Sequence, residues 1–181
     1  MFCLGLLIPS ASLVSAATHT AAATSSENVY AWGKNESGQL GDGTFNNSTM
    51  PVQVSGLSGV TAIAVGARHS LALASDGTVW AWGENDYGQL GNGNTSNSSM
   101  PVQVSGLTGV TAIAAGESHS LALKSGGTVW AWGNNDYGQL GNGTTNSSSI
   151  PVQVSGLDGV TAIAAGVFHS LAVKSDGTVW A

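Results

Sequence analysis

The sequence predicts an all-β chain of four-stranded antiparallel blades, the architecture of a β-propeller. Three observations carry this. Residues 29–78, 79–128 and 129–178 align without a gap at a period of 50 residues. The second and third copies agree at 40 of 50 positions, the first and second at 35. Each copy holds four short apolar segments separated by Gly-, Asn- and Ser-rich stretches, and no segment shows a helical period. Within the segments neither set of alternating positions is charged, whereas a solvated face would carry Lys and Glu.

The middle copy shows each element in turn. The first strand is Val110 to Ala115, where alternation sets Thr111 and Ile113 opposite Val110, Ala112 and Ala114. The second is His119 to Lys124. There His119, Leu121 and Leu123 share one face, and Ser120 and Ala122 the other. Ser125-Gly126-Gly127-Thr128 joins it to the third strand, as Asp76-Gly77 and Asp176-Gly177 do in the other copies. Such pairs mark tight hairpins, because type I′ turns need positive φ. The third strand is Val129 to Trp132, with Trp130 and Trp132 opposed to Val129 and Ala131. A long polar loop then leads to the fourth strand, Pro151 to Val154. Proline at its start suits an edge, where no N–H is required.

Two uncharged faces mean that both are covered. Bulky groups on one face and small ones on the other suit blades packed head to tail. Such a contact is heterologous and either closes as a ring or continues as an array. Residues 60–104 and 110–154 supply complete blades. Residues 29–54 supply only a third and fourth strand, and residues 160–181 a first, a second and the start of a third. The two part-blades would pair as one split blade on ring closure.

Composition narrows the function classes. Lys34, Arg68, Lys124 and Lys174 are the only basic residues, too few for the patch that phosphate neutralisation demands, so nucleic acid is excluded as a partner. The net charge of −6 speaks to solubility, not fold. Charged residues make up 8% of the chain, but 42% hydrophobic content with six Trp indicates a packed core rather than disorder. The single Cys3 rules out a disulfide framework and a cysteine-based zinc site. Residues 1–16 read as a signal peptide. The apolar run Phe2 to Val14 is shorter than the ~20 residues of a membrane span, and Val14-Ser15-Ala16 offers small residues for cleavage. No Lys or Arg precedes that run. Residues 17–28 read as a disordered spacer before the repeats at 29–181. The expected location is outside the cell or on its surface, without a membrane span.

Two motifs recur. Trp-Gly-x-Asn-x-x-Gly-Gln-Leu-Gly-x-Gly stands at Trp32 to Gly43, Trp82 to Gly93 and Trp132 to Gly143. Gly-x-x-His-Ser-Leu-Ala stands at Gly66 to Ala72, Gly116 to Ala122 and Gly166 to Ala172. Together they resemble the regulator of chromosome condensation repeat family, in its bacterial, secreted type, from Val29 to Ala181. The resemblance implies a propeller, usually of seven blades. With a fourth copy opening at residues 179–181, the chain reads as part of a longer array, and exposed blade faces and edges imply self-association. The family's nuclear members are guanine-nucleotide exchange factors that act through a wedge-like insertion in one blade; the copies here have equal lengths. Some secreted bacterial propellers with related repeats inhibit β-lactamases, but lack the long loop seen at Asn142 to Ser147.

Residues that every blade repeats are expected to serve the blade. These are Gly66, Gly116 and Gly166, His69, His119 and His169, and Trp82 and Trp132, with each imidazole wedged between blades and its nitrogens hydrogen-bonded. No Gly-x-Ser-x-Gly elbow, phosphate loop, His-Glu-x-x-His or calcium-loop spacing occurs, so no catalytic residue, cofactor or metal is expected. The Asn and Asp of the long loops read as turn residues. Asn-x-Ser/Thr sequons at Asn35, Asn46, Asn47, Asn94, Asn97, Asn142 and Asn146 follow from composition. Function is sought where the copies differ. The pairs Ala67-Arg68, Glu117-Ser118 and Val167-Phe168 precede each histidine, and Ser37, Tyr87 and Tyr137 vary in the loop. Arg68, Glu117, Phe168, Tyr87 and Tyr137 are therefore the candidate protein-binding rim. The leading expectation is a non-catalytic secreted or cell-surface module for protein binding or architecture. Exchange activity and β-lactamase-type inhibition are the alternatives.

Overall fold

The computed structural model describes residues 28–181. The signal segment, and the spacer up to residue 27, lie outside the described residues. Strands β1 (Tyr30–Gly33) and β2 (Ser48–Gln53) form a two-stranded sheet. β3 (Val60–Val65), β4 (His69–Ala74), β5 (Val79–Gly83) and β6 (Ser98–Gln103) form a four-stranded one, in sequence order. β7 (Val110–Ala115), β8 (His119–Lys124), β9 (Val129–Gly133) and β10 (Ser148–Gln153) repeat it. β11 (Val160–Ala165), β12 (Ser170–Lys174) and β13 (Val179–Trp180) form a three-stranded sheet. All pairings are antiparallel. The expected all-β blades are present, two complete and two partial.

Two local expectations need correction. The first strand does not alternate strictly. Val110 pairs with Lys124 but Ala112 with Leu123, so Thr111 is an extra residue on β7. Its hydroxyl donates to the Leu123 carbonyl at 3.2 Å. This bulge puts Val110 on the same face as Ile113 rather than opposite it, and both enter one buried cluster. The same shift occurs in β3 and β11. The fourth strand begins at Ser148, three residues before Pro151. Proline is tolerated inside it because β10 is an edge strand and its register against β9 breaks between Ser148 and Val152.

The core lies between blades. Leu71, Leu73, Val79 and Ala81 of one blade meet Ile113, Ala122 and Trp132 of the next in a single cluster. Val54, Val60, Ala72 and Trp82 form its counterpart one interface earlier, and Leu123, Val129, Val160 and Ala172 one interface later. The two complete sheets are thus covered on both faces, which explains the near absence of charge in their strands. The Gly-x-x-His spacing has a steric cause. A Cβ on Gly116 would stand 2.2 Å from His119 Cε1 and 2.5 Å from the Gly166 carbonyl oxygen, so only glycine lets the ring lie flat on the backbone.

Candidate functional site

The repeated residues build a latch that ties each blade to the loop of the preceding one. The loop between β5 and β6 carries Gln89, fully buried. The Gln89 carbonyl accepts from Ser120 Oγ and from Trp132 Nε1, both at 2.9 Å and both in the following blade. Gln39 does the same for Ser70 and Trp82 at 2.9 Å. His69 completes the chain: its Nε2 lies 3.0 Å from Ser120 Oγ. The serine proton goes to Gln89, so the serine oxygen must accept from His69 Nε2–H. The other nitrogen, Nδ1, has no partner in His69 or His119. Only one nitrogen per ring is bonded, therefore, not both as expected. His119 repeats the geometry with Ser170 at 3.1 Å. His169 departs from the pattern: it is exposed and wedged between no blades.

Burial, and secondarily the neighbouring imidazole, push the His69 and His119 pKa from 6.5 down to about 4. Both rings are therefore neutral at pH 7. A neutral imidazole beside a serine would suit a nucleophile, but Ser120 is fully buried and its proton is already committed to Gln89. The set is a structural relay.

A second buried device holds the long loop. Asn85 is 0% exposed. Its Oδ1 accepts from Leu90 N at 2.9 Å, and its Nδ2 donates to the carbonyls of Asn94 and Ser96, each at 3.0 Å. Its own amide donates to Asn97 Oδ1 at 2.7 Å. Asn35 and Asn135 occupy the same place with matching contacts. These asparagines are loop hubs rather than the turn formers that the loop composition suggests. The fixed Trp-Gly-x-Asn position in every copy is the sequence signal of that role. Asn85→Ala should cost about 2–4 kcal/mol, because the buried Leu90 amide and the Asn94 and Ser96 carbonyls lose the side chain that binds them together. The urea midpoint of the variant checks this.

The latch fixes the variable residues in place. Glu117 N donates to the Val167 carbonyl at 3.3 Å, so successive turns between first and second strands are neighbours. They border an open recess of about 410 Å³ lined by Val65, Gly116, Glu117 and Val167 among others. Tyr137 and Phe168, from adjacent blades, meet with ring centroids 5.2 Å apart. They remain 73% and 51% exposed. Tyr87 is exposed but its counterpart across the interface is Ser118, so it has no aromatic neighbour there. Arg68 pairs with Glu84 at 3.2 Å and stays half exposed. The structure brings Tyr137 and Phe168 together and leaves Arg68 and Tyr87 apart from them.

A profile of the RCC1-like domain matches residues 9–181. The chain belongs to the RCC1-like domain family. Solved structures agree. Human WBSCR16 superposes with a TM-score of 0.76 at 28% identity, covering 84% of this chain and 42% of that one. Yeast RCC1 (Prp20) bound to Kap60 gives 0.72 at 29% identity, covering 84% and 38%. Prp20p from Saccharomyces cerevisiae, a structure described with its binding to Gsp1p and histones, gives 0.70 at 27%, covering 84% and 40%. No curated protein sequence matches the chain. The chain spans about two-fifths of the length of these RCC1-like structures.

For an RCC1-like chain the division of labour is clear. The residues common to all copies are consumed inside the latch and the loop hub. Among the residues that differ between copies, Tyr87, Tyr137 and Phe168 reach solvent. Among the described residues no group of three or more His, Cys, Asp or Glu converges as a metal site would require, and no helix is long and apolar enough to cross a membrane.

Proposed function

We propose that this chain is a non-catalytic module, secreted or displayed on the cell surface, that binds a protein partner through the rim around Tyr137 and Phe168. The observation that carries the reading is the exposed aromatic pair itself. Aromatic side chains supply large contact area at small entropic cost, and they are enriched among the residues that dominate protein interfaces. Tyr137 stands on a loop held by the buried Gln139 and Asn135, so little ordering of it is left for binding. The apolar leader with small residues before Ala17 supports the location. Likeness to yeast RCC1, solved with Kap60, supports a protein as the partner class.

The test is a binding array of extracellular proteins against the full chain, followed by Tyr137→Ala with Phe168→Ala. The pair should cost at least about 2 kcal/mol, roughly thirtyfold in affinity, without changing the thermal midpoint. An unchanged affinity would remove the rim from the interface. Likeness to Prp20p favours guanine-nucleotide exchange as a second reading. Accelerated release of a labelled guanine nucleotide from a small GTPase would put it first.

A further inference from the structure

Asp76 and Asp176 occupy the hairpin between second and third strands in the first and third copies of the repeat, and in the second copy Gly126 stands in their place. Asp76 Oδ1 accepts from Thr78 N at 2.9 Å and from Thr78 Oγ1 at 2.7 Å. With its proton committed there, the Thr78 oxygen accepts from Trp80 Nε1 at 3.3 Å. Asp176, Thr178 and Trp180 repeat the relay at 2.9, 2.6 and 3.1 Å. Gly126 has no side chain to continue it. Thr128 therefore lacks the acceptor that would orient its hydroxyl, and Trp130 Nε1 is buried with no hydrogen-bond partner among the described residues.

A cation stands at the same place. Lys124 Nζ lies over the Trp130 ring, 5.6 Å from its centroid. The other basic residues each hold a carboxylate: Lys34 holds Glu36 at 2.9 Å, Arg68 holds Glu84 at 3.2 Å and Lys174 holds Asp158 at 3.0 Å. Lys124 holds none among the described residues, because Thr108 occupies the repeat position of Asp158. Lys174 sits over Trp180 at the same 5.6 Å. There, hydrogen bonds from Thr178, and more weakly the Lys174 ammonium, hold the Asp176 carboxyl below its ordinary 3.8. A negative group beside Gly126 would feel Lys124 in the same way. Space for it exists: Gly126 is exposed, and nothing lies within 4 Å of where its Cβ would be.

We propose that the hairpin at Gly126 binds a carboxylate from outside the chain, which takes the place that Asp76 and Asp176 fill in the sister copies. One carboxylate oxygen accepts from Thr128 N and Thr128 Oγ1. The threonine oxygen then accepts from Trp130 Nε1, so a buried donor gains its partner on binding, and Lys124 supplies the opposite charge. Every member of the site belongs to the complete sheet β7–β10 or to the hairpin within it. The site lies at the far end of β8 from the turn that carries Glu117 and Ser118, so it does not depend on the Tyr137 and Phe168 rim.

The test follows the indole N–H resonances of the full chain by NMR at pH 7, during titration with sodium acetate and, at matched ionic strength, sodium chloride. One indole resonance should move downfield and exchange more slowly in acetate, and saturate, while chloride leaves it in place. Gly126→Asp supplies the carboxylate from within, as Asp76 does. It should hold the same resonance at its bound position and abolish the response, which also assigns the signal. Lys124→Ala, which copies the natural Ala74, should weaken acetate binding at least threefold. A peptide with blocked ends and one glutamate, set against its glutamine twin, identifies the source. Tighter binding than acetate by the glutamate peptide alone places the carboxylate on a protein partner, and equal affinities place it on a small molecule; both uphold the site. An indole that ignores acetate overturns the proposal, as does an equal response to chloride or one that survives Gly126→Asp.

Discussion

Trp132→Ala is expected to lower the free energy of unfolding by about 3–5 kcal/mol. The indole is fully buried between two blades, in the cluster with Leu71, Leu90 and Val104. Truncation leaves a cavity in a region packed on both sides by rigid strands, so collapse around it is limited. It also removes one of the two donors to the buried Gln89 carbonyl. Chemical denaturation checks the magnitude, and a loss below about 1 kcal/mol would show that the interface relaxes freely. Trp32→Ala is the internal control. It deletes the same side chain from the same repeat position, but at an exposed site, and should change monomer stability by no more than about 0.5 kcal/mol.

Mild acid is expected to unfold the chain over a window where exposed carboxylates do not act. The His69 and His119 pKa stand at about 4, against 6.5 for the unconstrained side chain. Between those values the unfolded chain binds protons that the folded chain refuses. Stability is therefore complete above about pH 6.5, falls as pH drops towards 4, and stops falling through these groups below it. At about 1.4 kcal/mol per unit, each histidine contributes at most about 3 kcal/mol across the window. The two are coupled, since protonating one opposes protonating the other. Asp42, Asp76 and Asp176 are lowered from 3.8 and weigh in only at lower pH, with stability lost as pH falls past their window. Thermal midpoints measured between pH 7 and 4 check this. A flat profile down to pH 4 would mean that the rings accept protons in the folded state. In His119→Asn the slope between pH 6.5 and 4 should fall by about half.

Much of this was legible in the sequence because the chain states its pattern three times. A period of 50 with four apolar segments leaves little choice but stacked blades. The hairpin turns were readable for the same reason, since Gly77, Gly127 and Gly177 all sit at positive φ between second and third strands. What was not readable depends on contacts across the period. Ser120 meets Gln89, and Phe168 meets Tyr137, at a separation of 31 residues, which no local pattern announces. The bulge at Thr111 was hidden because threonine fits a strand as well as it fits a bulge. Asn85 looked like a turn residue because asparagine usually is one. Its burial follows from a loop that folds back over it, and alternation cannot show that. His169 carries the same motif as His69 but lacks their setting, because the blade face that covers a ring belongs to the neighbouring unit, not to the motif.

The Gln carbonyl that accepts from serine and tryptophan sits in one repeat while its donors sit in the next. Each 50-residue segment thus carries one half of a joint at either boundary, and the halves match whichever copy follows. A gene duplication or deletion of one period would leave every joint intact. The array can change length in evolution without redesigning an interface, and only the rim residues have to be reinvented. That explains how copies can agree at 40 of 50 positions while differing at Glu117 and Ser118, the residues that reach solvent.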